Sequence, residues 1–230
     1  GVMGADFVQL SLTPILIGVL ASIACALPGT FLVLRRQALI GDAISHVVLP
    51  GIVVAFLLTG TVAALPMLLG AAGAALVAVV LIEAVRRLGR IEPGAAMGVV
   101  FTTLFAAGVL LLERSDTSSV HLDVEHALMG NLESLIWLRA DGWASLADPA
   151  ALAALPPELM RLAVVCAVIV VLTGIFWRWL KIATFDEGFA RGIGLPVGAI
   201  GFGLVVVAAV AAVAAFDAVG SIIVIAMFIC

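Results

Sequence analysis

The chain has 230 residues, of which 64% are hydrophobic and 11% charged, with a formal net charge of −4. Soluble domains carry about 25% charged residues, so this composition excludes a water-soluble fold. It predicts an all-α, polytopic bundle of transmembrane helices. The mean hydropathy of +1.32 agrees, and so does the wealth of Ala, Val, Leu and Gly, small residues that let membrane helices pack closely.

Apolar runs of spanning length, about 20 residues, lie near 12–34, 39–58, 63–83, 94–112, 160–179 and 197–215, and a seventh starts near 219. At least seven spans are therefore expected, within a single membrane domain over 1–230. The chain opens on Gly1 and stops at Cys230 inside the seventh run, which predicts a fragment truncated at its C-terminus. No basic stretch precedes the first run, so no cleavable signal peptide is expected. Cys25 and Cys166 fall inside apolar runs and read as small packing residues, not a disulfide framework. Gly70 and Gly73 suggest close helix contact.

The links after spans one, three and five hold Arg35, Arg36, Arg86, Arg87, Arg90, Arg178, Lys181 and Arg191. The remaining basic residues, Arg114, Arg139 and Arg161, share the segment after span four with Glu113, Asp116, Asp123, Glu125, Glu133, Asp141, Asp148 and Glu158. The positive-inside rule puts the basic links in the cytoplasm and the N-terminus outside.

Within this frame, Asp42 and His46 stand out in the second run. Ionisable groups inside a membrane helix cost several kcal/mol and usually serve function. Four residues apart, the two share one helix face. If the helix starts at Arg36, His46 lies ten residues in, about 15 Å and so near mid-membrane. A carboxylate oxygen and an imidazole nitrogen both suit first-row divalent metals. The alternative is a polar helix–helix hydrogen bond, or an Asp42–Arg35 contact.

The external segment 113–160 contains His121, Asp123, Glu125 and His126. They could attract cations to a pathway mouth or contact a docking protein, but their spacing matches no standard metal site, and a solvated acidic loop is the plainer reading. Trp137 and Trp143 read as interfacial anchors, as do Trp177 and Trp179 beside Arg178. Asp217 reads as a helix cap or a gate residue, the cap being the plainer reading. On the cytoplasmic side, 182–196 predicts a short helix: Asp186 caps it, Gly192 and Gly194 end it, and Pro196 starts the next. Phe185, Phe189 and Ile193 give it one apolar face, suited either to a partner's groove or to lipid headgroups. No GxxxxGK[ST] or HExxH motif occurs, so no ATPase or zinc-protease chemistry is expected of the chain itself.

The stretch FLVLRRQALIGDAISHVVLPG (31–51) resembles the signature of permease subunits of ABC importers for manganese, zinc or iron. TFDEGFARGIGLPVG (184–198) is similar to that family's ATPase-docking loop. EPGAAMGVVFTTLFAAGVLLL (92–112), VEHALMGNLESLIW (124–137) and FDAVGSIIVIAM (216–227) resemble its later helices and its external loop. The resemblance implies a homo- or heterodimeric permease of the bacterial cytoplasmic membrane, an ABC ATPase on its cytoplasmic face and an external metal-binding protein. It implies a transported Mn, Zn or Fe ion and no permanent cofactor; no nucleic-acid partner is expected. The family's pathway ligands fall on Asp42 and His46. Its coupling helix falls on Phe185–Gly194, including Phe185, Asp186, Glu187, Phe189, Ala190 and Gly194, with Asp186 and Ala190 matching the pattern. The competing class is a stand-alone, ion-coupled metal transporter that uses the same two residues without an ATPase. A membrane hydrolase would need a nucleophile and a third ligand that the sequence does not offer.

Overall fold

The computed structural model describes residues 2–37, 39–60, 64–114 and 132–229. A short helix α1 (Val2–Phe7) runs through a π-helical turn (Val8–Leu12) into α2 (Thr13–Leu34). Then follow α3 (Ile40–Thr59), α4 (Ala64–Gly89) and α5 (Pro93–Arg114). After two 3-10 turns, Leu132–Ser134 and Trp143–Ala147, come α6 (Pro149–Leu152), α7 (Pro157–Phe185), α8 (Glu187–Gly192), α9 (Val197–Val219) and α10 (Ser221–Ile229).

Six of these helices are long and apolar enough to cross a membrane: α2, α3, α4, α5, α7 and α9. They coincide with the six complete runs in the sequence. The expected seventh run forms only the nine-residue α10. Nine residues rise about 14 Å, less than half of a hydrocarbon core of about 30 Å. Six helices of spanning length are therefore present among the described residues, and α10 stands where the seventh run begins.

The link between α2 and α3 is a tight stop. Gln37 N–H donates to Leu32 O at 2.8 Å and Arg36 N–H to Val33 O at 3.0 Å, with Arg36 at φ +58°. This is the Schellman pattern, with an arginine in the left-handed position that glycine usually takes. Because α2 stops there, α3 starts only at Ile40. His46 then lies six residues into its helix, about 9 Å along the axis instead of the 15 Å expected from a helix starting at Arg36. The pair belongs to the first two turns of α3, not to its middle.

Helices α3 and α9 are the most enclosed, and α4, α5 and α7 the least. α9 presents Ala208, Ala211, Ala212 and Ala215, all without exposure, to the centre of the bundle. α7 turns Val164, Val168, Val171 and Ile175, each more than half exposed, outward. Their spacing puts them on one face, where an apolar stripe suits lipid tails. Small residues set the closest helix contacts. A Cβ on Gly51 would sit 2.5 Å from Gly70 O and 2.7 Å from Ala74 Cβ, so α3 and α4 touch through their backbones. A Cβ on Gly29 would collide with Phe228 O of α10. Gly73, in contrast, faces open space.

Gly51→Val should therefore lower the melting midpoint of the detergent-purified full-length protein. Overpacking costs about 1–3 kcal/mol, and backbone atoms on the far side leave little room for relief. Gly73→Val should melt as wild type does; equal midpoints for the two variants would contradict this helix contact.

The segment between α5 and α7 corrects one sequence expectation. Trp137 is not an interfacial anchor but is 1% exposed, packed with Val8, Ala140 and Ala151. Its indole N–H donates to Ala151 O at 2.7 Å, and its backbone N–H donates to Gln9 O at 2.9 Å. A buried indole needs such an acceptor, and the fold-back of α6 supplies it. Trp143 is 58% exposed beside Phe7. Trp177 and Trp179 are also half exposed. The side chain of Asp217 lies outside the described residues.

Candidate metal pathway and coupling helix

The up-and-down connectivity brings the C-terminal ends of α2, α4 and α7 to one end of the bundle, together with the starts of α3, α5 and α9. Arg35 shows this directly. Its guanidinium donates to Ala183 O on α7 at 3.4 Å and lies against Gly201 of α9, where a Cβ would come within 2.6 Å of Nη2. Burial lowers its pKa from the ordinary value, Glu187 opposes this and Arg86 adds to it. The arginine remains a cation, since guanidinium does not deprotonate in proteins. Arg86 and Arg87 share Glu83, at 2.7 and 2.5 Å. The amide oxygen of Gln37, two residues after Arg35, and the hydroxyl of Thr184, next to Ala183, are buried without a hydrogen-bond partner among the described residues.

At this same end, α3 presents Asp42 in its first turn, where the helix dipole favours a carboxylate. His46 follows one turn later. Its Nε2 lies 3.6 Å from Asp42 Oδ1. That is too long for a hydrogen bond. It is close to the separation of about 3.4 Å between two donors that share a tetrahedral first-row ion at about 2.1 Å. Both side chains are more than 40% exposed within this single chain. Among the described residues, no third His, Cys, Asp or Glu joins them. One chain thus offers two donors on an open face, and a complete shell would need water or a second polypeptide.

Two neighbours of His46 were not legible as such in the sequence. Phe101 of α5 stacks on the imidazole at 5.2 Å between centroids, and Phe105 meets it edge-on at 5.7 Å. Their own four-residue spacing was a signal, but an aromatic pair in an apolar helix reads first as packing. Pro50 adds a further feature. Lacking an N–H, it leaves the His46 carbonyl without its usual helical donor.

The short helix α8 forms as the sequence predicts. Asp186 Oδ1 accepts the Phe189 N–H at 2.8 Å, the N-cap bond. Glu187 and Arg191 pair one turn apart. At its end, Leu195 N–H donates to Ala190 O at 2.9 Å and Gly194 N–H to Arg191 O at 3.0 Å, with Gly194 at φ +81°. Gly194, not Gly192, takes the left-handed position. Ala190 is fully buried against Ala183 and Val197, which fixes α8 to α7 and α9. Phe185, Phe189 and Ile193 are 69%, 56% and 53% exposed. His121, Asp123, Glu125 and His126 lie outside the described residues.

A family model described as the ABC 3 transport family matches residues 8–137 and 150–230. The manganese transport system membrane protein MntD of Bacillus subtilis is 41% identical over 212 residues, covering 92% of this chain and 69% of the relative. The zinc transport system membrane protein TroD of Treponema pallidum is 37% identical over 216 residues, covering 94% of this chain but 56% of the relative. This chain thus spans little more than half of the TroD protein. Among solved structures, PsaBC from Streptococcus pneumoniae in complex with Fab superposes with a TM-score of 0.73 at 27% identity, over 99% of this chain and 73% of that one. With the helical bundle, the family model and the relatives all in agreement, the chain belongs to the ABC 3 transport family, as a multi-pass membrane subunit.

Proposed function

We propose that the protein is the membrane subunit of an ATP-driven importer that passes a divalent metal ion, Mn, Zn or Fe, from an external binding protein to the cytoplasm of a bacterium. The observation that carries the proposal is the Asp42–His46 pair, donors 3.6 Å apart on an open helix face, in a chain whose relatives are named for manganese and zinc transport. Two donors hold an ion weakly enough to release it, which transport requires. A second permease subunit completes the shell across the open face. The Irving–Williams order makes intrinsic affinity a poor guide to the cargo.

The basic end faces the cytoplasm, and α8 is the contact to the ATPase. Its apolar face is exposed while Ala190 ties it to the bundle, so a push on α8 reaches α7 and α9. Arg35, between Ala183 and the start of α3, extends that path toward Asp42. ATP binding would tilt these helices and turn the metal pair from one side of the membrane to the other.

The test is metal accumulation by proteoliposomes that contain the full-length protein, its ATPase and the external binding protein. Accumulation should require MgATP on the face that carries the basic residues. Accumulation driven by an ion gradient with the ATPase left out would overturn the proposal in favour of a stand-alone transporter.

A further inference from the structure

The face that α5 turns to α3 carries Phe101, Phe105 and Gly108, at helical positions i, i+4 and i+7 that lie on one side. Gly108 lies so close to α3 that a Cβ there would come within 2.8 Å of the Pro50 ring. That contact sets the height of α5 on α3, since both helices start at the basic end. One and two turns nearer that end, Phe105 and Phe101 meet the imidazole of His46.

The two contacts differ in kind. Phe101 lies nearly parallel to the imidazole, at 18°, and Phe105 stands at 81° to it. Stacking on a face restrains the plane of the ring. An edge contact from a second ring restrains its rotation within the space that remains. Phe101 is itself held by Val47, Ala78 and Val100, so it gives the imidazole a fixed wall. The Nε2 atom is left on the side of Asp42, 3.6 Å from its oxygen.

We propose that Phe101 and Phe105 are positioning residues for the metal step, holding the His46 ring so that Nε2 and the Asp42 carboxylate meet an incoming divalent ion at a preset gap. The inference rests on the reading of Asp42 and His46 as ligands. Neither benzene ring offers the ion a lone pair, so both act through His46 alone. A ligand already held in its bound orientation loses less freedom when the ion arrives, and with only two donors from this chain that saving bears directly on affinity.

Equilibrium Mn(II) binding to the purified full-length permease, without its external binding protein, tests this by the electron paramagnetic resonance of free Mn(II). Phe101→Leu and Phe105→Leu keep an apolar side chain but remove the ring. Each should raise the dissociation constant about tenfold, the low end of what outer-shell partners of metal ligands contribute. Phe101→Tyr and Phe105→Tyr keep the ring and should bind as wild type does. Wild-type affinity in both leucine variants, with binding lost in His46→Ala, would overturn the positioning role and leave the ligand reading standing. Lower thermal stability of the leucine variants with unchanged affinity would show a packing role only and overturn it equally. Wild-type affinity in His46→Ala, or no saturable binding by the wild type, would overturn both readings. If Phe101→Leu does not accumulate, Phe105→Leu, whose ring is 40% exposed, carries the same test.

Discussion

Asp42→Ala or His46→Ala in the full-length protein should reduce metal uptake by about 100-fold or more, while the subunit still assembles in the membrane. The size follows from the ligand count: one chain contributes two donors, and removing one halves its share of the shell. Outer-shell partners alone contribute about 10–100-fold to metal affinity or activity, so a direct ligand should exceed that. Assembly survives because both side chains are over 40% exposed. Truncating them leaves the close backbone contact of α3 with α4, through Gly51 and Gly70, in place. Initial rates of Mn(II) and Zn(II) uptake, with size-exclusion profiles of the same variants, measure both halves. Wild-type uptake in both variants would rule out a required ligand role.

The second large effect concerns α8. Phe189→Asp should abolish co-purification of the ATPase, whereas His46→Ala should leave it intact. Phe189 is 56% exposed on a helix whose other side is fixed by Ala190 and by the Asp186 cap. The substitution therefore changes the outward face and not the anchoring. Truncating a central aromatic at an interface costs about 2 kcal/mol or more, roughly 30-fold in affinity, and a carboxylate placed in an apolar groove adds desolvation to that loss. Transport should fail with it. Were α8 instead to lie on lipid headgroups, the ATPase would be recovered in equal amounts from the variant and the wild type.

These two regions were legible in the sequence to different depths. The Asp186 cap and the Gly194 stop depend on neighbours three to five residues away, and that local chemistry reads straight off the chain. The six spans read equally well, because long apolar runs in a membrane protein have few alternatives to helix. The start of α3 did not. Its position depends on Arg36 taking a left-handed conformation, which residue type does not announce, and the later start puts His46 six residues into its helix instead of ten. Trp137 was misread for a different reason: its acceptor, Ala151 O, comes from a turn that only the folded segment brings back. Phe101 and Phe105 likewise gained meaning only when α5 was laid against α3. The pairing of Asp42 with His46 needed only the helix period, whereas the shape of its surroundings needed the tertiary fold.

The Arg35 junction ties these regions together. A cation that touches the last turn of α7 and the start of α9 also closes the stop that launches α3. In the proposed importer, movement of α8 would reach the first turns of α3, where Asp42 and His46 stand, through this junction.

In the proposed transport cycle the ion passes between these two side chains. Anomalous X-ray scattering at the manganese edge, from the Mn(II)-loaded full-length permease, tests it most directly. A peak within bonding distance of both His46 Nε2 and an Asp42 oxygen is expected, absent in His46→Ala. A peak elsewhere in the membrane domain, unchanged in that variant, would contradict it.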